Sequence, residues 1–168
     1  LTSLWMIVFS LQWFWLALAI IWTSLACLLA AAWQVSRTAR HGRGPWWQWL
    51  PLSLHAGWVS LAVFLNVAQV IVAFRLLPTG DMLPWTLGLF ALTAALVLTA
   101  VARMSGNPWY ALAVLWGLVG VYVKQHDSGL AGAQAAAWAA LALAVAVAAL
   151  SIARQFGSRA AAHSRFDG

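Results

Sequence analysis

Residues 1 to 33 run apolar almost without a break, and four further apolar stretches follow, separated by short segments that hold nearly all the charge. A membrane-spanning helix needs about 20 apolar residues, so the first run is too long for one span and each later run suits one. Charged residues make up only 7% of the chain and glutamate is absent, against roughly 25% charge in an average soluble domain. Such a chain cannot clothe a soluble core in charge. It reads as an all-α, polytopic integral membrane helical bundle, with the lipid bilayer as its first partner.

The first run divides at "SLQWFW" (10 to 15), because Trp and Gln favour the headgroup level. The expected helices are a partial one over 1–11 and five full spans over 14–36, 46–74, 83–103, 108–124 and 131–154, with a polar tail over 155–168. Pro45, Pro84 and Pro108 each fall near a helix start, where a missing N–H costs nothing. The loops "RTARHGRGP", "RLLPTGDML", "MSGNP" and "KQHDSGL" carry turn chemistry. At 1.5 Å per residue the opening segment covers about 16 Å, half a span, so the sequence is expected to start partway through a longer protein.

Charge supplies an independent check on that division. Arg37, Arg40, Arg43, Arg103, Arg154, Arg159 and Arg165 fall on one side of the expected bundle, while Arg75 and Lys124 share the other with Asp81 and Asp127. This positive-inside asymmetry makes the arginine-rich side cytoplasmic, C-terminus included. It also accounts for the net charge of +6 without nucleic acid as a partner. The lone Cys27 sits in an apolar run, where a thiol stays protonated. No Cys or His cluster has metal-ligand spacing, no glycine-rich phosphate loop occurs, and all three aspartates lie in loops or the tail. The pattern suggests neither an enzyme nor a metal site. His126 and Asp127 are adjacent in a loop and read as solvated.

Thirteen tryptophans exceed what interfacial anchoring requires. Trp46, Trp47, Trp49 and Trp109 suit one belt, and Trp13, Trp15 and Trp85 the other. Trp5, Trp22, Trp33, Trp58, Trp116 and Trp138 are left over, for lipid contact and packing or for an aromatic cavity around a flat ligand. The alanine-rich 130–150 reads as a close-packing helix face.

The third helix holds the densest polar chemistry. In "PLSLHAGWVSLAVFLNVAQ", His55, Trp58, Ala62, Asn66 and Gln69 recur at spacings of 3, 4, 4 and 3, one face at the helical period. Polar groups in membrane helices face the protein interior or a water-filled cavity, so this stripe is expected to point inward. Asn66 and Gln69 then bond a neighbouring helix or a ligand, and His55 packs or ligates. Ser53 and Ser60 are expected to bond back to helix carbonyls, and Pro51 to bend the first turns.

"GWVSLAVFLN" resembles the fourth-helix motif of the tryptophan-rich sensory protein or translocator protein family (TspO/MBR), through Trp58, Ser60, Ala62, Leu65 and Asn66. "LWMIVFSLQWFW" loosely resembles the preceding helix, and "PWYALAVLWGLVGVYVKQ" the closing region of a divergent bacterial branch. The resemblance covers about residues 46 to 75 most firmly. Pro51 stands seven residues before Trp58 instead of the usual four, and the early W-x-P-P region has no counterpart. The resemblance implies a helical bundle of the bacterial inner membrane that binds porphyrins or other hydrophobic small molecules as sensor, carrier or regulator. Trp58, Ala62 and Asn66 carry over by position, with His55 and Gln69 beside them as ligand contacts. The implied ligand is a porphyrin or a (bacterio)chlorophyll-type tetrapyrrole. The rival reading is an accessory subunit of a photosynthetic or respiratory membrane complex, or a homo-oligomer.

Overall fold

The structure, a computed structural model, describes residues 1–40, 46–78 and 80–163, the side chains of 39, 40 and 158–163 excepted. Six helices follow in order: α1 Thr2–Ser10, α2 Phe14–Arg40, α3 Trp46–Ala73, α4 Leu83–Arg103, α5 Pro108–His126 and α6 Ala133–His163. No strand occurs among the described residues. The expected break between the first two helices falls at Gln12, whose φ of 59° places it in the left-handed region. α3 runs through Pro51 unbroken.

Phe14–Thr38, Trp46–Ala73, Leu83–Arg103 and Ala133–Gly157 are long and apolar enough to cross a membrane. The expected fifth full span, α5, has 19 residues and ends in Lys124, Gln125 and His126, so its apolar length falls short of the other four. It still packs inside the bundle against α3 and α6. α6 also differs from expectation, continuing past 154 through residues read as tail. Gln, Arg and Ala are good helix formers, and the Gln155 amide donates to the Gly106 carbonyl at 2.9 Å, which ties this turn to the α4–α5 loop.

The helix ends sort by charge as the topology requires. Arg37, Arg103 and Arg154 close one end of the bundle, while Arg75, Lys124, Asp81 and Asp127 lie at the other. Arg43, Pro45 and Arg165 fall outside the described residues, as do the side chains of Arg40 and Arg159.

In lipid there is no hydrophobic drive between helices, so close approach depends on small residues. α3 shows this at Gly57. A Cβ there would stand 2.6 Å from the Tyr110 carbonyl oxygen and 2.9 Å from Ala113 Cβ. α6 turns Ala136, Ala137, Ala140, Leu143 and Val147 inward, the close-packing face its alanines suggest, and leaves Trp138, Val145, Ile152 and Phe156 outward. Gly57→Ala is expected to push α3 from α5 and cost about 1–3 kcal/mol, as overpacking does in a dense core. A lowered unfolding midpoint in detergent would show it, whereas an unchanged midpoint would mean that the two helices have room to spare.

A buried polar knot holds the arginine-rich end. Asn107 precedes Pro108, and its Oδ1 accepts from the Trp109 and Tyr110 amides at 3.0 and 3.3 Å. That is an N-cap followed by proline at the first helical position. Its Nδ2 donates to Ser36 Oγ on α2 and Ser53 Oγ on α3, both at 2.8 Å. Tyr110 donates to Ser60 Oγ at 2.9 Å, and Ser60 bonds back to the Ala56 carbonyl at 2.8 Å, as expected for that serine. Ser53 instead serves the loop. On the far side, Gly106 has φ +75° and its carbonyl accepts from Ser151 Oγ at 2.9 Å. A side chain at Gly106 would collide with the Ser151 backbone. The four-residue turn "SGNP" thus binds α2, α3 and α6 to the start of α5.

Candidate ligand-binding site

At the opposite end the bundle opens into a cavity of about 290 Å³. It exists because α4 packs along α6 and α3 but makes few contacts with α5. α3 contributes Trp58, Leu61, Ala62, Leu65 and Ala68. α4 adds Trp85, Thr86, Leu89, Phe90 and Thr93 from its first three turns. Gly117, Leu118, Val121 and Gln125 come from α5, and Leu130 to Ala133 with Ala136 close the rim where α6 begins. Gly117 supplies room, since any side chain there would strike Leu61. Gly132, at φ +81°, lets the chain turn into α6 against Leu83.

Two indoles form aromatic wall. Trp58 is 55% exposed and lines the cavity. Trp85 is partly buried and held by its N–H donating to the Pro78 carbonyl at 3.1 Å. A concave, mainly apolar space with aromatic walls and a few polar groups is the usual character of a small-molecule site. Aromatic rings also favour a flat partner, by offset stacking or edge contact. Among the described residues, no group of three or more His, Cys, Asp or Glu could hold a metal ion.

The expected inward stripe on α3 does not form. Of its five members Trp58 and Ala62 reach the cavity, and only Asn66 is buried, at 7% exposure. Asn66 turns to α1, where its Oδ1 accepts from Trp5 Nε1 at 3.0 Å and its Nδ2 donates to the Ala62 carbonyl at 2.9 Å. Both its polar atoms are engaged within the protein. His55 is exposed, with Nε2 3.2 Å from Thr2 Oγ1. Gln69 is exposed and outside the lining.

The reason is neighbour count rather than polarity. α3 lies between α2 and α5, and its deepest positions are the small ones that let both approach, among them Ser53, Ala56, Gly57 and Ser60. Trp58 is too large for that seam. Most of the surplus tryptophan also faces outward, as Trp22, Trp33, Trp116 and Trp138 do. Trp85, Gly117 and Gln125 were not expected at a site. Trp85 carries a belt signal at the start of α4, and nothing local to α5 marks Gly117 or Gln125 as facing a cavity.

Comparison with curated proteins and with solved structures gives no match. The TSPO-like protein family, however, matches residues 1–153. This membrane-embedded helical bundle belongs to the TSPO-like protein family.

Proposed function

We propose that the chain is a TspO-like binding protein that takes a flat hydrophobic ligand of the tetrapyrrole kind into the cavity between α3, α4, α5 and α6. It acts as sensor, carrier or regulator rather than by turnover. It sits in a bacterial inner membrane with the arginine-rich end and the C-terminus in the cytoplasm. The observation that carries the reading is the apolar cavity walled by Trp58 and Trp85. Ala62 belongs to the same wall, while His55, Asn66 and Gln69 lie outside it.

Porphyrin titration tests this directly. Purified protein in neutral-lipid nanodiscs is titrated with protoporphyrin, both as the free diacid and as its dimethyl ester, while tryptophan emission is followed. At least one form is expected to quench saturably, and Trp58→Ala to weaken its binding about tenfold, or about 1.4 kcal/mol. If neither form binds saturably, or if Trp58→Ala changes nothing, the cavity is not a porphyrin-class site.

A further inference from the structure

We infer that the cavity selects by charge and accepts a planar lipophile that carries no ionised group. The inference rests on the ligand-binding reading above and names the class of ligand that the same site takes.

The lining carries no charged side chain among the described residues. Its polar side-chain atoms belong to Thr86, Thr93, Gln125 and the two indoles. Two of these are already committed. The Thr93 hydroxyl donates to the Leu89 carbonyl at 2.7 Å, and the Trp85 N–H donates to Pro78. Gln125 supplies the one side-chain amide of the wall. A carboxylate brought here would lose its water and gain no cation, and an unpaired charge in such surroundings is strongly disfavoured.

Of the charges at this end of the bundle, Arg75, Lys124, Asp81 and Asp127, none lines the cavity. Asp81, one residue before Met82 of the lining, is itself an acid, and it accepts from the Leu83 amide at 3.3 Å. Lys124 is next to Gln125 in sequence but lines a neighbouring hollow on the outer face of α5, with Trp116, Gly120 and Asp127, which meets the cavity at Leu130. The start of α6 also lies at the rim, and its dipole favours an anion, but a helix terminus offsets only a small part of a carboxylate's desolvation. An uncharged ring system has no such cost and gains the full contact with Trp58, Leu65 and Phe90. Between two ligands of the same ring, the one with masked carboxyls should therefore bind better.

The diacid and dimethyl ester of protoporphyrin make that comparison on one ring. Binding is measured to wild type in phosphatidylcholine nanodiscs, with Ala68→Phe, which crowds the cavity, as the background for partitioning into lipid. After subtraction, the ester is expected to bind at least tenfold more tightly than the diacid. Gln125→Lys places a cation in the wall and is expected to narrow or reverse that ratio. Wild type holding the diacid as tightly as the ester overturns the inference, and so does a ratio that Gln125→Lys leaves unchanged. Saturable binding absent for both forms would sink the ligand-binding reading itself, a different failure from equal binding of the two.

Discussion

Replacing Asn107 with alanine is expected to destabilise the bundle more than any other single change at a polar side chain, by about 2–4 kcal/mol. The side chain does two things at once. Its oxygen caps α5 through the Trp109 and Tyr110 amides, and its nitrogen bridges Ser36 on α2 and Ser53 on α3. Loss of an asparagine N-cap alone costs about 1 kcal/mol. The remainder comes from buried groups left without partners, at about 1–3 kcal/mol. Asn107 is 2% exposed and Ser53 fully buried, so water cannot easily stand in. Asn107→Ser keeps a capping oxygen but not the reach to both serines, and should lose about half as much. Equilibrium unfolding in mixed micelles would rank the three proteins. If the alanine variant unfolds with wild type, the knot contributes nothing to stability.

The helices were legible because lipid leaves the backbone little choice. Apolar length, Trp and Gln at the break near residue 12, and proline at the starts of α4 and α5 mark where each helix lies. Helix ends were less legible. α6 outlasts its apolar run because Gln155 finds the Gly106 carbonyl, a contact between residues far apart in the chain. The "GNP" turn announced a helix start, but not that its asparagine would be buried among three helices. Ser36 and Ser53 hold nothing in common locally that points to Asn107. The α3 stripe failed for a related reason. Periodicity shows which residues share a face, but not which face meets protein, and in lipid an exposed tryptophan is no anomaly. Trp58 proved informative only when α4, α5 and the start of α6 were seen to leave a space beside it.

Filling that space should weaken binding without touching the core. Ala68 lies on the cavity wall, is only partly buried, and belongs to neither buried cluster of the bundle. Ala68→Phe puts a ring into a volume of about 290 Å³. Forcing a ligand past it is comparable to overpacking a core, about 1–3 kcal/mol, or roughly five- to 150-fold in Kd. The variant complements Trp58→Ala, which removes wall instead of adding it. A ligand adsorbed to the tryptophan-rich exterior would respond to the loss of Trp58 but not to a ring at Ala68. A ligand inside the cavity responds to both. Leu112→Phe, on an exposed face of α5 outside the lining, should bind as wild type does and controls for added aromatic surface. Porphyrin binding to Ala68→Phe as tight as to wild type would move the ligand out of the cavity and onto the lipid-facing indoles, where Trp22, Trp33, Trp116 and Trp138 stand exposed.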